Sequence, residues 1–585
     1  MNHPIVLKDA YKGYTLDQDK IVSPEETVRR FRERLQRVYL DILKETVRID
    51  TGRLDIPVYF SVCGRDAETV IGSKKQMGKG GTPAQSEASA VMELAERFSF
   101  FSFAKNPENF IVEEYRNIQD RALPFEMIAR SVHDDSNDLD VAREVFSRLP
   151  LKWTWGYNLK QQEPVLIPFD WFFAINEFNG ASAGNGAEEA ILQGICEVVE
   201  RHVSSLVSRG RLKTPAIDLE SVTDPFVAKM IGKYRKAGIR LFATDFTLDM
   251  GIPSVGVLAY DPTTFPKRSE IVWTAGTTPD PQKALNRALT EVAQLAGDFN
   301  SGSNYVASGL PKFRDLSEAD FVIHSEERVD ILSLPDLSHN NIRVEVENCM
   351  GAVARTGMEI IVVDVVHPQL GIPAFYTIVP GAHFRERAAG TSVGMFTAKL
   401  IAERGDPEWA VSELQKMDRM VPNKYYVKFF LGLSTLALNE PSKGLAFLKE
   451  AMELDPNNED RVSIYSYMGA CLKDLGKYGE AIQVLEKAAE IDDERTDVYN
   501  LLGFCHFKQK AHEKAIEAFQ KVIELNPSSA IDYANIASNY RDMGEKDKAM
   551  EYYKLALELD ESIDFAWANL KKLEAEAAKK LDERP

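Results

Sequence analysis

Five polar side chains in the stretch from Ser182 to Arg201, SAGNGAEEAILQGICEVVER, are spaced so that they can act together. Glu189, Gln193, Glu197 and Glu200 follow one another at helical steps of four, four and three, and Arg201 lies four beyond Glu197, which lays them along one stripe. Ile191, Leu192, Ile195, Cys196, Val198 and Val199 fill the other side. So broad an apolar face belongs against a core, and the acidic stripe is then expected to face a cleft. Carboxylates crowded on one wall repel one another unless cations neutralise them. Oxygen ligation with few other donors suits Mg²⁺, an ion that usually arrives with phosphates. The plainer reading is a solvated face with weak Glu–Arg pairs, but the pattern recurs. Ser89, Glu93, Glu96 and Arg97, in SAVMELAERFSFF, share a helical face and the same E-x-x-E-R ending. A third helix candidate, ALNRALTEVAQ, places Arg287, Glu291 and Gln294 at steps of four and three. Three helices that present Glu with Arg can bring Glu93, Glu96, Glu189, Glu197, Glu200 and Glu291 to one place.

Taken in order, S-x3-E-x2-E-R at Ser89 to Arg97, S-x2-N-x3-E-x3-Q-x3-E-x2-E-R at Ser182 to Arg201, and R-x3-E at Arg287 and Glu291 resemble the three nucleotide-binding motifs of the YcaO family. The resemblance covers roughly residues 1 to 400. It implies an α/β (α+β) catalytic domain that uses ATP and Mg²⁺ to phosphorylate a backbone amide oxygen of a peptide or protein. A side-chain nucleophile then gives an azoline, or a sulfide equivalent gives a thioamide. The six Glu are thereby assigned to metal or its surroundings, and Ser89, Arg97, Ser182, Asn185, Gln193, Arg201 and Arg287 to nucleotide or to orienting those Glu. For Arg97 and Arg201 the alternative is a structural pair with a neighbouring Glu. In the family a Lys and a hydroxyl residue seven positions later lie near the phosphates. Lys20 and Thr27 have that spacing, with Lys12 and Ser23 competing for the two places. No residue stands out as a general base. Many azoline formers of the family end in a Pro-rich tail, whereas this chain ends LDERP, which moves the expectation toward thioamidation with a sulfur-delivery or TfuA-like partner. An accessory role in methylthiolation of ribosomal protein S12 is a variant, and a homodimer is a family expectation.

The chain has 585 residues, too many for one ordinary core. At 44% hydrophobic and 27% charged it has a normal globular composition. A net charge of -19 argues against nucleic acid and against an anionic membrane surface. No apolar run is long enough to span a bilayer and the start does not resemble a signal peptide, so the cytoplasm is the default. Cys63, Cys196, Cys349, Cys471 and Cys505 are isolated, without a C-x-x-C pair, and Cys196 reads as core.

Residues 1 to 22 read as an irregular arm. Ser23 and Pro24 then start a helix expected to run through RRFRERLQRVYLDILKET. PVYFSVCG and the segment before Gly72 look strand-like. The Gly-rich turn Gly78-Lys79-Gly80-Gly81 is not a phosphate loop, because five residues separate Gly72 from Gly78 and Gly80 stands where Ser or Thr is required; Lys79 is expected to shape or charge the cleft entrance. Further strand candidates are the stretch TWGYNLKQQEPVLIPFDWFF, IRLFATDFT, IPSVGVLAYD, EIIVVDVV and PAFYTIVPG. Their interleaving with helices reads as two similar halves of one domain closing near residue 402.

From residue 406 the pattern changes. Gly469, Gly503 and Ala537 recur every 34 residues, as do Ala481, Ala515 and Ala549. With a looser unit before them, these resemble tetratricopeptide repeats, an all-α solenoid over 406–585 with a charged capping helix through Lys580. Such a module binds a peptide or a partner protein. Residues 406–585 carry ten more acidic than basic side chains. If that excess lines the groove it favours a basic partner, and on the outer side it serves only solubility. A reading of another class makes the whole chain a nucleotide-binding scaffold without catalysis. The complete set of motif residues counts against it.

Overall fold

The computed structural model describes residues 4–134, 136–302, 305, 309–384, 391–403, 406–526 and 528–582. By their contacts Met1–Asn137 and Phe146–Val393 form one compact unit, and Asp138–Val145 with Gly394–Pro585 form a second. The helix Val393–Glu403, counted with the catalytic half in the sequence, thus groups mostly with the repeats.

Three sheets build the first unit. A small sheet joins Leu43–Arg48, Val58–Cys63 and Lys75–Lys79 in that order, and a five-stranded sheet runs Val272–Thr277, Ser254–Tyr260, Arg240–Asp245, Ala216–Asp218, Arg328–Asp330. In the six-stranded sheet the order is Ile111–Glu114, Pro150–Asn158, Ile361–Asp364, Ala374–Ile378, Ala181–Ala183, with Glu163–Pro168 paired to Pro150–Asn158. Every pairing of these strands is antiparallel except Arg328–Asp330 with Ala216–Asp218. The stretch with strand character around Trp155 is a hairpin that runs into a helix, Phe169–Asn176.

Two local expectations fail. The helix begun by Ser23, whose hydroxyl accepts from Glu26 N, ends at Val38 with Tyr39 in a left-handed cap. Leu43–Arg48 becomes a strand because it pairs with Val58–Cys63 and buries Ile42 beside Phe31 and Leu35; this tertiary pairing outweighs a helical propensity that is only a weak prior. The segment before Gly72 is a helix, Arg65–Ile71, with Gly72 as its left-handed cap.

Three long helices carry the polar stripes. Pro83–Lys105 packs on the small sheet, and Pro281–Ala296 lies on the strands Val272–Thr277 and Ser254–Tyr260 over a core that includes Leu285, Leu289 and Val292. Between them runs the central helix, Ala187–Gly210, against Ala374–Ile378 and the strand that precedes it. Contact there is so close that a Cβ on Gly194 would lie 2.3 Å from Thr377 Oγ1 and 2.8 Å from Ser182 Oγ. Gly194→Ala is expected to destabilise the first unit by about 1–3 kcal/mol, despite the roughly 1 kcal/mol of helix propensity that Ala gains. A lower thermal unfolding midpoint would show it.

The second unit is helical throughout. Pairs Tyr425–Ala437 with Pro441–Glu453, Asn458–Asp474 with Tyr478–Ile491, Thr496–Lys508 with His512–Leu525, and Ala530–Asp542 with Lys546–Leu559 precede a closing helix, Asp564–Asp582. Ala481, Ala515 and Ala549 are fully buried between helices. All five cysteines of the chain are buried, and no described helix is long and apolar enough to cross a membrane.

Candidate nucleotide and metal site

The three stripes converge. With the arm and the strand Lys75–Lys79 they line a cavity of about 710 Å³ in the first unit. Glu93, Glu96, Arg97 and Ser89 come from Pro83–Lys105, and Glu189, Gln193, Glu197, Glu200 and Arg201 from the central helix. Arg287 and Glu291 project from Pro281–Ala296, joined by Asn185, Lys20 and Thr27. Lys12 and Ser23 are elsewhere. Lys12 is held by Asp19 at 2.8 Å and Glu345 at 2.6 Å, and Ser23 caps its helix. Ser182 is the one residue named for nucleotide that does not line the cavity. It is fully buried and its hydroxyl donates to Ala190 O at 2.7 Å, so it ties strand to helix.

Acid and base are interleaved on the cavity walls. Arg97 lies 3.5 Å from Glu93 and 3.2 Å from Glu96, Arg201 lies 3.7 Å from Glu197, and Arg287 Nε meets Glu200 Oε2 at 3.1 Å. Lys79 pairs with Glu291. Burial pushes the Glu96 carboxyl well above its usual range, Arg97 opposing and Glu197 and Glu93 adding to the rise. Glu200 is raised too, by burial against the pull of Arg287. Burial also acts upward on Glu291, but Lys79 and Arg201 outweigh it and hold that carboxyl below its ordinary value. These helices therefore hold carboxylates in a place where ionisation is costly without cations. Arg201 Nε is buried and donates to nothing among the described residues, and Arg97 Nη1 is buried 3.2 Å from Glu96 without an aligned hydrogen bond, which leaves donor capacity for an anionic ligand.

Glu189 behaves differently from the other five Glu. Its Oε1 accepts from Asn185 N at 3.1 Å and Asn185 Nδ2 at 3.0 Å and lies 3.7 Å from Lys20 Nζ, and its Oε2 accepts from Ile21 N at 2.9 Å. Thr27 Oγ1 then reaches Asn185 Oδ1 at 3.2 Å. One carboxylate thus fastens the arm, the head of the first helix and the central helix together, and Oε2, which accepts from Ile21 N, keeps a lone pair.

Among the described residues no three acidic, His or Cys side chains close a metal cage on their own. Mg²⁺ fits the remaining Glu as an ion bound by one or two carboxylates and completed by phosphate oxygens and water. Lys79, read from the sequence as an entrance charge, sits in the cavity on a strand whose short run offered no periodic signal. Phe178, whose ring centroid lies 3.9 Å from the Arg97 guanidinium carbon, follows an aromatic run that reads as core. Gln85, 3% exposed with Oε1 unpartnered, also lines the cavity. Lys79→Met is expected to raise the ATP dissociation constant by about tenfold or more, the worth of one charge-assisted contact, measurable by calorimetry.

Residues 77–383 match the model of a family described as YcaO cyclodehydratase, ATP- and Mg²⁺-binding. The chain belongs to the YcaO family. ATP and Mg²⁺ are the cofactors of YcaO proteins, and here the acidic helices and buried guanidinium groups suit both. Lys20 and Thr27 lie before the matched segment. Tetratricopeptide-repeat models match residues 463–495, 496–529 and 533–563. Among curated proteins the chain is 26% identical, over 64% of its own length and 91% of the relative's, to a protein in the tfuA 3′ region of Rhizobium leguminosarum bv. trifolii. It is 26% identical to the Escherichia coli (strain K12) ribosomal protein S12 methylthiotransferase accessory factor YcaO, over 47% of this chain and 48% of that one. Among solved structures a heterocyclase in complex with substrate and cofactor superposes with a TM-score of 0.54 at 24% identity, covering 65% of this chain and 55% of the other.

Proposed function

We propose that the first unit activates a backbone amide of a peptide or protein by ATP-dependent phosphorylation, and that the activated amide becomes a thioamide. The observation that carries the activation step is the convergence of five acidic side chains and three Arg from three helices on one cavity, an arrangement suited to phosphoryl transfer, where positioning and charge neutralisation dominate. ATP, when bound, supplies the phosphoryl group that turns the amide oxygen into a leaving group. Glu93, Glu96, Glu197, Glu200 and Glu291 would hold Mg²⁺, and Arg97, Arg201, Arg287, Lys20 and Lys79 would take phosphate oxygens. Ser89, Gln193 and Asn185 orient these groups. Likeness to the protein of the tfuA region supports a sulfur-delivery or TfuA-like partner, and the repeats are suited to bringing substrate or that partner by protein contacts.

The test is to compare the proteome of cells with and without this protein by mass spectrometry. Replacement of a backbone oxygen by sulfur is expected; loss of water instead would move the reading to azoline formation. Likeness to the S12 accessory factor favours a second reading, in which the substrate pathway is ribosomal-protein methylthiolation. Disappearance of that modification on S12, with no thioamide elsewhere, would select it.

A further inference from the structure

The repeats carry an acidic excess, and on their inner wall several of those carboxylates are already paired within the module. The first helix of one pair touches the first helix of the next, Tyr425–Ala437 on Asn458–Asp474 and that on Thr496–Lys508, while among the described residues no second helix packs comparably on its successor. The first helices thus form the inner side of the solenoid. Hydrogen bonds run along it from pair to pair. Tyr425 Oη donates to Asp460 at 2.6 Å, Ser466 Oγ to Asp497 at 2.7 Å and Asn500 Nδ2 to Asp532 at 2.7 Å. Asp497 also receives Arg495, and Asp532, 2% exposed, receives Ser529. These inner carboxylates are spent inside the module and present little free negative charge.

Other groups on that wall remain open. Asp497, Asn500, Phe504 and Lys508 follow at steps of three, four and four, so Phe504 and Lys508 share the stripe that touches the neighbouring first helices. Phe504 is 38% exposed, as is Tyr467 on the preceding first helix. Lys473 and Lys508 flank Phe504, their Nζ atoms 5.6 and 5.2 Å from its ring centroid. Lys473 shares Asp474 at 2.8 Å, and Lys508 meets no carboxylate among the described residues.

We propose that this wall docks an extended acidic segment of a partner protein, with an apolar or aromatic side chain laid on Phe504 and carboxylates on Lys473 and Lys508. A basic segment would have to take Asp497 and Asp532 from the neighbours they already serve, and Asp474 and Asp542, one repeat before and after Lys508, from Lys473 and Arg541, and would face both lysines. The outer acidic charges do not decide the matter, because beyond a screening length of about 8 Å at physiological salt their field is largely lost. The inference rests on the reading that the repeats recruit a protein, and names the chemistry they select.

The experiment is fluorescence anisotropy on the full chain with labelled peptides of the type Glu-Glu-Phe-Glu-Glu and Lys-Lys-Phe-Lys-Lys. Binding of the acidic peptide at least tenfold tighter, weakened tenfold or more by Phe504→Ala, and a preference reversed by Lys473→Glu with Lys508→Glu are expected. Equal or tighter binding of the basic peptide, no binding of either, indifference to the charge reversal, or displacement by a single-stranded RNA would overturn the proposal. Recruitment is judged apart, by turnover of a protein substrate. Phe504→Ala with lost peptide binding but normal turnover removes the recruiting role and leaves the selectivity of the wall intact.

Discussion

Arg287→Met is expected to lower ATP-dependent turnover by roughly a thousandfold or more, the scale on which an arginine matters in phosphoryl transfer. Arg287 sits at the meeting of all three stripes. It bonds Glu200 at 3.1 Å and Gln193 at 3.2 Å, and Glu200, Glu291 and Glu197 together outweigh the burial that opposes its charge. Glu200 is only 2% exposed and already raised by burial, with Arg287 the strongest influence pulling it down. Without the guanidinium the carboxyl rises further and takes up a proton, which removes a candidate Mg²⁺ ligand together with the arginine. The sign follows: nucleotide binding by the variant should recover in part as the pH is raised and Glu200 ionises. Breaking so buried a pair costs roughly 3–5 kcal/mol when the partner stays charged, so thermal unfolding is measured beside activity. Arg287→Met combined with Glu200→Gln should lose little more activity than Arg287→Met alone and should be the more stable protein, because the two act as a unit. Additive losses would separate them.

That prediction uses residues legible in the chain, and the reason is geometric. A stripe of Glu and Arg at steps of three and four fixes its own face, so Glu93 to Arg97, Glu189 to Arg201 and Arg287 to Glu291 could be placed before any fold was known. A repeat of 34 residues identifies its architecture in the same way. What the pattern does not contain is which faces meet. Lys79 lies on a five-residue strand, and only the pairing of that strand with Val58–Cys63 and its position beside Pro281–Ala296 bring it to Glu291. Ser182 belongs to a recognisable motif, yet its hydroxyl is turned to Ala190 O because the strand before the central helix is buried on both sides. The first helix stops at Val38 for the same cause, since a partner strand, Val58–Cys63, claims Leu43–Arg48. In each case the deciding interaction is tertiary, and local spacing is silent about it.

Glu189 shows how motif membership and physical role can part, and its substitution separates them. Three hydrogen bonds from Ile21 and Asn185, with the Lys20 ammonium 3.7 Å away, converge on its two oxygens, so Glu189→Ala is expected to loosen Lys20 and Ile21 while leaving the Mg²⁺ requirement of the remaining Glu in place. The arm has other tethers, Asp17 to Gly81 N at 2.8 Å and Ala10 N to Asn341 at 2.9 Å, but Glu189 ties Ile21 N and the Lys20 ammonium to the central helix, and Lys20 lines the cavity. Charge-assisted contacts of this kind contribute about 1.5–3 kcal/mol each, and the loss of Lys20 from the site should raise the dissociation constant for ATP by about tenfold or more. Limited trypsin digestion gives a readout independent of nucleotide: cleavage after Lys20 should become rapid in Glu189→Ala and remain slow in the wild-type chain, while Lys12, held by Asp19 and Glu345, stays protected in both. Glu197→Gln is the contrasting variant. Its carboxylate lies 3.7 Å from Arg201 and acts electrostatically on Glu96, Arg97 and Arg287, all of them on the helices, so it should lose Mg²⁺-dependent binding with the arm still protected. If Glu189→Ala instead keeps a protected arm and loses its response to Mg²⁺, the carboxylate is a metal ligand, and its donors are partners that it leaves when the ion arrives.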